Sequence, residues 1–245
     1  TPLLYPPDNP SLVILPGSLR LFAYNLADGT ERWRAGGLPN EMVATPVGGE
    51  GLIFAAGWTP GANGVPLVPF DTLLTQGDQN QDGKLTRDEA PSGPAKRDFP
   101  YIDANKDGFI SRAEWESTKA IFEQSDNALV AIRPGGTGDV TRTHAAWKQK
   151  RGMPYVPSPL YYQGHLYLVK NGGLISCFEA ATGKPCYQEE RLGAMGDYYA
   201  SPVAAAGKIL VCSQAGIATV LRAGPALEVL ARNQLGEKLM ATPAV

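Results

Sequence analysis

Pro157-Ser158-Pro159-Leu160-Tyr161-Tyr162-Gln163-Gly164-His165-Leu166-Tyr167-Leu168-Val169-Lys170-Asn171-Gly172-Gly173-Leu174-Ile175-Ser176-Cys177-Phe178-Glu179 packs a Ser-Pro opening, two apolar runs and two Gly-containing turns into 23 residues. Apolar runs of this length, rich in β-branched and aromatic residues and bounded by Gly, predict strands joined by tight turns. The strands fall near Tyr155–Leu160, His165–Lys170, Leu174–Glu179 and Pro185–Glu190, with turns at Gln163-Gly164, Asn171-Gly172-Gly173 and Thr182-Gly183.

Outward from this stretch the same opening returns as Ala44-Thr45-Pro46, Ala200-Ser201-Pro202 and Ala241-Thr242-Pro243, and Thr1-Pro2 matches the tail of a further copy. The prolines Pro2, Pro46, Pro159, Pro202 and Pro243 stand 44, 113, 43 and 41 residues apart. Four short strands in each repeat of about 42 residues is the period of a β-propeller, whereas a β-sandwich has no reason to repeat one tripeptide at a fixed spacing. Strands are expected at Leu12–Leu15, Leu21–Asn25 and Glu31–Arg34 in the first blade, and at Lys208–Cys212, Ala218–Leu221 and Leu227–Ala231 in the fourth. In the second blade Gly51–Gly57 has no successor until Ala128–Arg133. The excess length of the one long interval therefore enters between the second and third strands of that blade. Surface loops tolerate such growth because closure entropy rises slowly with length. The expected organisation is a mainly β protein with propeller blades at 1–69 and 127–245 and an insertion at 70–126.

The insertion holds two further matching stretches. Asp78-Gln79-Asn80-Gln81-Asp82-Gly83-Lys84-Leu85-Thr86-Arg87-Asp88-Glu89 is followed, 25 residues on, by Asp103-Ala104-Asn105-Lys106-Asp107-Gly108-Phe109-Ile110-Ser111-Arg112-Ala113-Glu114. Both fit the calcium loop of an EF-hand, which needs oxygen ligands at positions 1, 3 and 5, Gly at 6, a backbone carbonyl at 7, an often water-mediated ligand at 9 and a bidentate Glu at 12. The expected calcium ligands are Asp78, Asn80, Asp82, Lys84 (carbonyl), Thr86 and Glu89, then Asp103, Asn105, Asp107, Phe109 (carbonyl), Ser111 and Glu114. Leu85 and Ile110 stand where paired hands bridge their loops. Helices are predicted at 111–124, with Trp115, Ala120, Ile121 and Phe122 on an apolar face, and more briefly at 94–102 and 70–76. The tethered pair is read as a structural clip that calcium orders rather than as a sensor.

A resemblance to a known family rests on two stretches. Leu21-Phe22-Ala23-Tyr24-Asn25-Leu26-Ala27-Asp28-Gly29-Thr30-Glu31-Arg32-Trp33 and Ile175-Ser176-Cys177-Phe178-Glu179-Ala180-Ala181-Thr182-Gly183-Lys184-Pro185-Cys186-Tyr187 resemble the blade motif of the pyrroloquinoline quinone (PQQ)-like propellers. The resemblance implies that Trp33, Tyr187 and Trp147 dock between neighbouring blades. The fourth repeat departs from it, with Arg222-Ala223-Gly224-Pro225 in place of the Asp-x-x-Thr-Gly turn and Val229 or Leu230 in place of the aromatic. Family members close rings of seven or eight blades, so these four imply part of a larger ring; a compact four-bladed closure stays open. The family includes quinoprotein dehydrogenases and outer-membrane assembly scaffolds.

Composition narrows the function. Gly 28 and Pro 21 in 245 residues suit short strands and tight turns. A net charge of −2, with no basic run longer than Lys148-Gln149-Lys150-Arg151, argues against a nucleic-acid partner, and no apolar run reaches the length of a membrane span. The chain begins at Thr1 without Met or signal peptide, from which processing or truncation is expected. Cys177, Cys186 and Cys212 leave two readings, a Cys177–Cys186 disulfide or buried thiols. His144 and His165 lack partners at ligand or triad spacing, and Pro134–Gly138 lacks the Lys-Ser/Thr of a phosphate loop and is read as a wide turn.

Residues entering each innermost strand recur one repeat apart: Asn40-Glu41-Met42, Met153-Pro154-Tyr155, Asp197-Tyr198-Tyr199 and Lys238-Leu239-Met240. In a propeller these ring the channel mouth. Glu41, Tyr155, Asp197, Tyr198 and Lys238 are thus candidates for a surface that takes a protein or small-molecule ligand, with inter-blade packing as the competing reading. The calcium loops lie off the channel, and the blades assemble no Asp base, calcium cradle and Trp floor for PQQ, so PQQ is not expected. The function expected is a calcium-binding PQQ-like propeller acting as a binding or scaffolding module, exported by a bacterium to the periplasm or beyond. The alternative is a fragment of a quinoprotein-type oxidoreductase with its active site at the channel mouth.

Overall fold

Strand Leu52–Gly57 is buried along its whole length, with Ile53 and Ala55 in one apolar cluster and Leu52, Phe54 and Ala56 in another. A strand with both faces covered must lie in a sheet packed between two others, which is how propeller blades stack. The computed structural model describes residues 1–60 and 66–244. They form two compact units, Thr1–Thr59 with Asp126–Val245, and Pro60–Ser125.

The first unit consists of four sheets, each built on four antiparallel strands. The first holds Leu3–Tyr5, Leu12–Gly17, Arg20–Asn25 and Glu31–Gly36; the second holds Val47–Gly49, Leu52–Gly57, Ala128–Ile132 and Ala145–Gln149. The third holds Leu160–Tyr162, His165–Lys170, Leu174–Glu179 and Pro185–Arg191; the fourth holds Val203–Ala205, Lys208–Cys212, Ile217–Arg222 and Val229–Gln234. The protein is therefore mainly β, with propeller blades. Gly57 pairs with Ala128 and Ile53 with Ile132, so the second and third strands of blade two are sheet neighbours although 70 residues separate Gly57 from Ala128. The third blade's first strand begins at Leu160 rather than Tyr155. Pro157 and Pro159 have no N–H to give a ladder, so the chain joins the sheet only after them.

Each blade interface has its own apolar core. Ile14, Leu21, Ala23 and Trp33 meet Ile53, Val130 and Ile132; Phe54, Leu129 and Ala131 meet Leu166, Leu168 and Phe178; Tyr167, Val169 and Ile175 meet Ile209, Val211 and Leu221. Fully burying one such Leu, Ile or Phe stabilises by about 1.5–3 kcal/mol before entropy is counted. The recurring Ser/Thr-Pro pairs add polar links. Thr45 N donates to Ser158 Oγ at 2.9 Å, Ser158 N to Ser201 Oγ at 2.9 Å, and Ser201 N to Thr242 Oγ1 at 3.0 Å. Ser158, Ser201 and Thr242 thus each supply a hydroxyl acceptor to the copy of the tripeptide before them. Trp147 Nε1 donates across to the Ala180 carbonyl at 3.0 Å, and half-buried Tyr187 packs in the cluster shared by blades three and four. Cys177, Cys186 and Cys212 are free thiols, and Cys177 and Cys212 are buried.

One strand was not expected. Gly138–Asp139 pairs in parallel with Trp33 and Arg34, adding a fifth strand to the outer edge of blade one from a segment of blade two. Asp139 Oδ1 accepts from Thr141 N and Oγ1, and Thr141 Oγ1 in turn accepts from Gly36 N at 2.7 Å. The added rung occupies the outer edge of blade one at Trp33 and Arg34.

An ion-pair cluster sets an acid limit on the third blade. Glu189 binds both Lys170 and Arg151, and its side chain is 17% exposed. The hydrogen bond from Lys170, opposed by burial and reinforced by Arg151, holds its carboxyl below the ordinary value. A depressed carboxylate pKa contributes stability above the unfolded-state value, near 4.3, that is lost as pH falls through the folded one. Glu189→Gln is therefore expected to lower stability by about 1 kcal/mol at pH 7 and by nothing at pH 2, read as denaturation midpoints at the two pH values. An equal loss at both would show that the charge contributes nothing.

The inserted unit holds helices α1 (Phe70–Gly77), α2 (Pro94–Arg97), α3 (Phe99–Ile102) and α4 (Arg112–Gln124), and strands Leu85–Thr86 and Phe109–Ile110. The stretch 94–102 divides into α2 and α3 because Pro100 lacks an N–H and crowds the carbonyl four residues back. Phe70, Leu73, Leu85, Phe99, Ile102, Ile110 and Trp115 make its core. Among the described residues no helix is long and apolar enough to cross a membrane.

Candidate functional site

The two acidic loops of the insertion are built alike. Asp78 Oδ1 accepts from Asp82 N at 3.2 Å and its Oδ2 from Gly83 N at 3.0 Å; Asp103 Oδ1 accepts from Asp107 N at 3.1 Å and its Oδ2 from Gly108 N at 3.0 Å. Asn80 Oδ1 takes the Asp82 N–H and Asn105 Oδ1 the Asp107 N–H, both at 2.9 Å. Asp82 and Asp107 accept in turn from the amides of Lys84 and Phe109. This curl needs left-handed residues, and the loops supply them at Gln81 and Lys106 (φ 60° each) and at Gly83 and Gly108 (φ 78° and 89°). Leu85 pairs with Ile110 and Thr86 with Phe109, joining the loops back to back.

The twelfth residue of each loop is turned inward. Glu89 Oε2 accepts from Thr86 N and Oγ1 at 3.0 and 2.8 Å, and Glu114 Oε2 from Ser111 N and Oγ at 2.9 and 2.7 Å. Ser111 and Glu114 thereby form a capping box for α4. The hydrogen bonds from Thr86 hold the Glu89 carboxyl below its ordinary value. Burial pushes that of Glu114 up, and the hydrogen bonds from Ser111, Asn105 and Ala104 more than reverse this. At positions 1, 3, 5, 9 and 12 of each loop every side chain offers oxygen, the donor a hard cation takes, and at position 7 Lys84 and Phe109 can offer only their backbone carbonyls. Among the described residues no three His, Cys, Asp or Glu side chains gather into a metal-holding group of their own. The donor sets here depend as much on Asn, hydroxyl and carbonyl oxygens as on carboxylates.

The residues expected at a channel mouth divide. Tyr198 is 1% exposed, and its hydroxyl donates to the Ala194 carbonyl at 2.6 Å while its N–H goes to Asn171 Oδ1 at 2.7 Å. Burial pushes its phenol up to about 12. Asp197 and Lys238 are exposed, and the Asp197 carbonyl accepts from Gln214 N. Glu41 and Tyr155 are brought together across the second and third blades, with the Tyr155 hydroxyl donating to the Glu41 carboxylate at 3.4 Å. Burial and the nearby Glu41 charge push the Tyr155 phenol up. Trp58 completes this group, its ring 5.9 Å from that of Tyr155 at 81°. The repeat comparison missed Trp58, because it lies where the long insertion begins. Its signal was register: Phe54 and Tyr167 hold equivalent ladder positions, so Trp58 corresponds to Asn171.

The EF-hand family matches residues 97–117, which span the second loop and leave the first outside. No curated protein sequence matches the chain. The chain's fold is similar to that of the computationally designed Ika8 protein, at 8% identity and a TM-score of 0.54, over 95% of this chain and 49% of that one. It is also similar to quinohemoprotein alcohol dehydrogenase from Comamonas testosteroni, at 11% identity and a TM-score of 0.50, over 91% of this chain and 34% of that one. BamB from Moraxella catarrhalis aligns over 97% of this chain and 62% of its own, at 12% identity and a TM-score of 0.42. The chain thus spans less than two thirds of the length of each of these proteins.

Proposed function

We propose that this chain is a calcium-binding propeller module of an exported bacterial protein, acting by binding or scaffolding at its propeller mouth. The observation that carries the calcium assignment is the matching hydrogen-bond frame of the two loops, down to the residues with left-handed φ and the inward Glu. Asp78, Asn80, Asp82, the Lys84 carbonyl, Thr86 and Glu89 would hold one ion. Asp103, Asn105, Asp107, the Phe109 carbonyl, Ser111 and Glu114 would hold the other. When bound, calcium supplies a divalent charge against three carboxylates in each loop. The chain's own residues do the rest: the paired Leu85 and Ile110 keep the loops in register, and Ser111 fixes the start of α4 whether Glu114 caps it or turns to the ion. Ordering the insertion is the ion's work in this reading. The periplasmic or secreted location accords with calcium modules of low affinity.

Calcium titrated by calorimetry into the whole chain is expected to show saturable heat with dissociation constants of about 0.1–1 mM, and Glu89→Gln with Glu114→Gln is expected to abolish it. Equal heats in wild type and double variant would end the assignment. Incubation with PQQ tests the competing oxidoreductase reading: the protein is expected to retain no quinone absorbance, and retention would favour that alternative.

A further inference from the structure

We propose that Glu41, Trp58 and Tyr155 form a receptor for an organic cation, an alkylammonium or guanidinium group; the assignment rests on the propeller mouth being a binding face. Trp58 and Tyr155 are 39% and 41% exposed, whereas Trp33, Tyr167 and Tyr198 of the same unit are buried. Their rings meet at 81°, forming the corner of two aromatic walls, and the Glu41 carboxylate lies 3.4 Å from the Tyr155 hydroxyl. Aromatic faces carry the negative part of a quadrupole, and a cation set against them is attracted, more strongly beside a carboxylate. One carboxylate and two rings offer no oxygen shell for a metal ion, so the chemistry selects a cation that is large, weakly hydrated and organic.

The corner is held from beneath. Glu41 N donates to Thr59 Oγ1 at 3.2 Å, and Thr59 Oγ1 donates to the Glu41 carbonyl at 3.4 Å. Thr59 N donates to Asn127 Oδ1 at 2.7 Å, and Asn127 Nδ2 donates back to the Thr59 carbonyl at 3.1 Å. Thr59 is 1% exposed and Asn127 6%. Two of the three receptor residues, Glu41 and Trp58, therefore hang from one buried clasp, and Tyr155 meets them from the next blade. Among the described residues no Lys or Arg forms an ion pair with Glu41, although the ion pairs found elsewhere engage Glu31, Glu116, Glu123, Glu189 and Glu228. A carboxylate fixed beside aromatic walls without an internal cation is complementary to one brought by a ligand. Such a group can come from an Arg or Lys side chain of a protein or from a free amine.

The test uses the whole chain with 15N-labelled indoles, the Trp58 cross-peak being assigned by its loss in Trp58→Phe. Titration with tetramethylammonium and with a blocked pentapeptide bearing a central Arg is expected to shift that peak saturably and leave the Trp33 peak in place. Neopentyl alcohol, a neutral molecule of similar shape to tetramethylammonium, is expected to leave it unmoved. Glu41→Gln should weaken the response about tenfold. Tighter binding of the peptide would assign the cation to a protein partner, and tighter binding of tetramethylammonium to a free amine. An equal response to neopentyl alcohol, or unchanged affinity in Glu41→Gln, would overturn the cation receptor while keeping the mouth as a binding surface. Silence of Trp58 toward every probe would remove both, and would leave the calcium assignment untouched.

Discussion

Gly173→Ala is expected to destabilise the propeller unit by about 3–5 kcal/mol. Gly173 has φ +67°, and a Cβ on it would stand 2.2 Å from the Ala194 carbonyl oxygen. That oxygen cannot swing aside as a side chain would, since Ala194 lies in a segment tied back by Leu192 N to the Gly173 carbonyl and by Gly172 N to the Gly196 carbonyl, each at 2.8 Å. Gly172 beside it separates the two causes. It also has left-handed φ, at +88°, but a Cβ there would meet only the Leu174 side chain at 4.0 Å. Gly172→Ala is therefore expected to cost about 1–2 kcal/mol, the left-handed term alone. Guanidinium midpoints of the two variants decide the matter: equal losses would show that the close approach to Ala194 carries no energy. The next blade repeats the arrangement, with a Cβ on Gly216 placed 2.1 Å from the Glu237 carbonyl oxygen.

Trp115→Ala is expected to unfold the insertion and spare the blades. Trp115 is 1% exposed, sits among Phe70, Leu73, Phe99 and Ile102, and its Nε1 donates to the Val68 carbonyl at 2.8 Å. Truncating such a side chain removes about 3–5 kcal/mol, a large part of what a unit the size of Pro60–Ser125 can hold. Brief trypsin treatment should then cut at Lys84, Arg87, Lys96, Arg97 and Lys106, while the β-sheet circular dichroism of the blades persists. Calcium at a hundredfold excess over its dissociation constant would restore about 2.7 kcal/mol for each site if only the folded form binds it, so the variant should regain protection on adding the ion. Protection without calcium equal to that of wild type would mean that this core is not what holds the insertion together.

The interval between Pro46 and Pro159 is long because Gly57 and Ala128 are ladder partners with 70 residues between them. The loop geometry was legible for a local reason, since the acidic and amide side chains and the left-handed glycines fall at fixed offsets within twelve positions. What the sequence hid depended on distant partners. Nothing in the Gly-rich stretch 134–138 announces that Gly138 and Asp139 will pair with Trp33 and Arg34, because a two-residue parallel rung leaves no hydrophobic period. Nor does repeat alignment distinguish Tyr198 from Tyr155. Equivalent positions share a backbone path, but Tyr198 finds a carbonyl acceptor in Ala194 and is buried, while Tyr155 meets Glu41 at the surface. The meaning of the Ser/Thr before each proline emerged only when its partner in the adjacent blade was known.

The clasp between Thr59 and Asn127 bears on how such a protein acquires new parts. Two side chain–backbone bonds join the residues flanking the insertion, 68 positions apart, and both residues are buried. To the host blade the interruption is therefore a short closed hairpin, whatever length of chain is threaded through it. A segment can be exchanged at this socket without asking the neighbouring strands to shift register, provided that its ends return to Thr59 and Asn127.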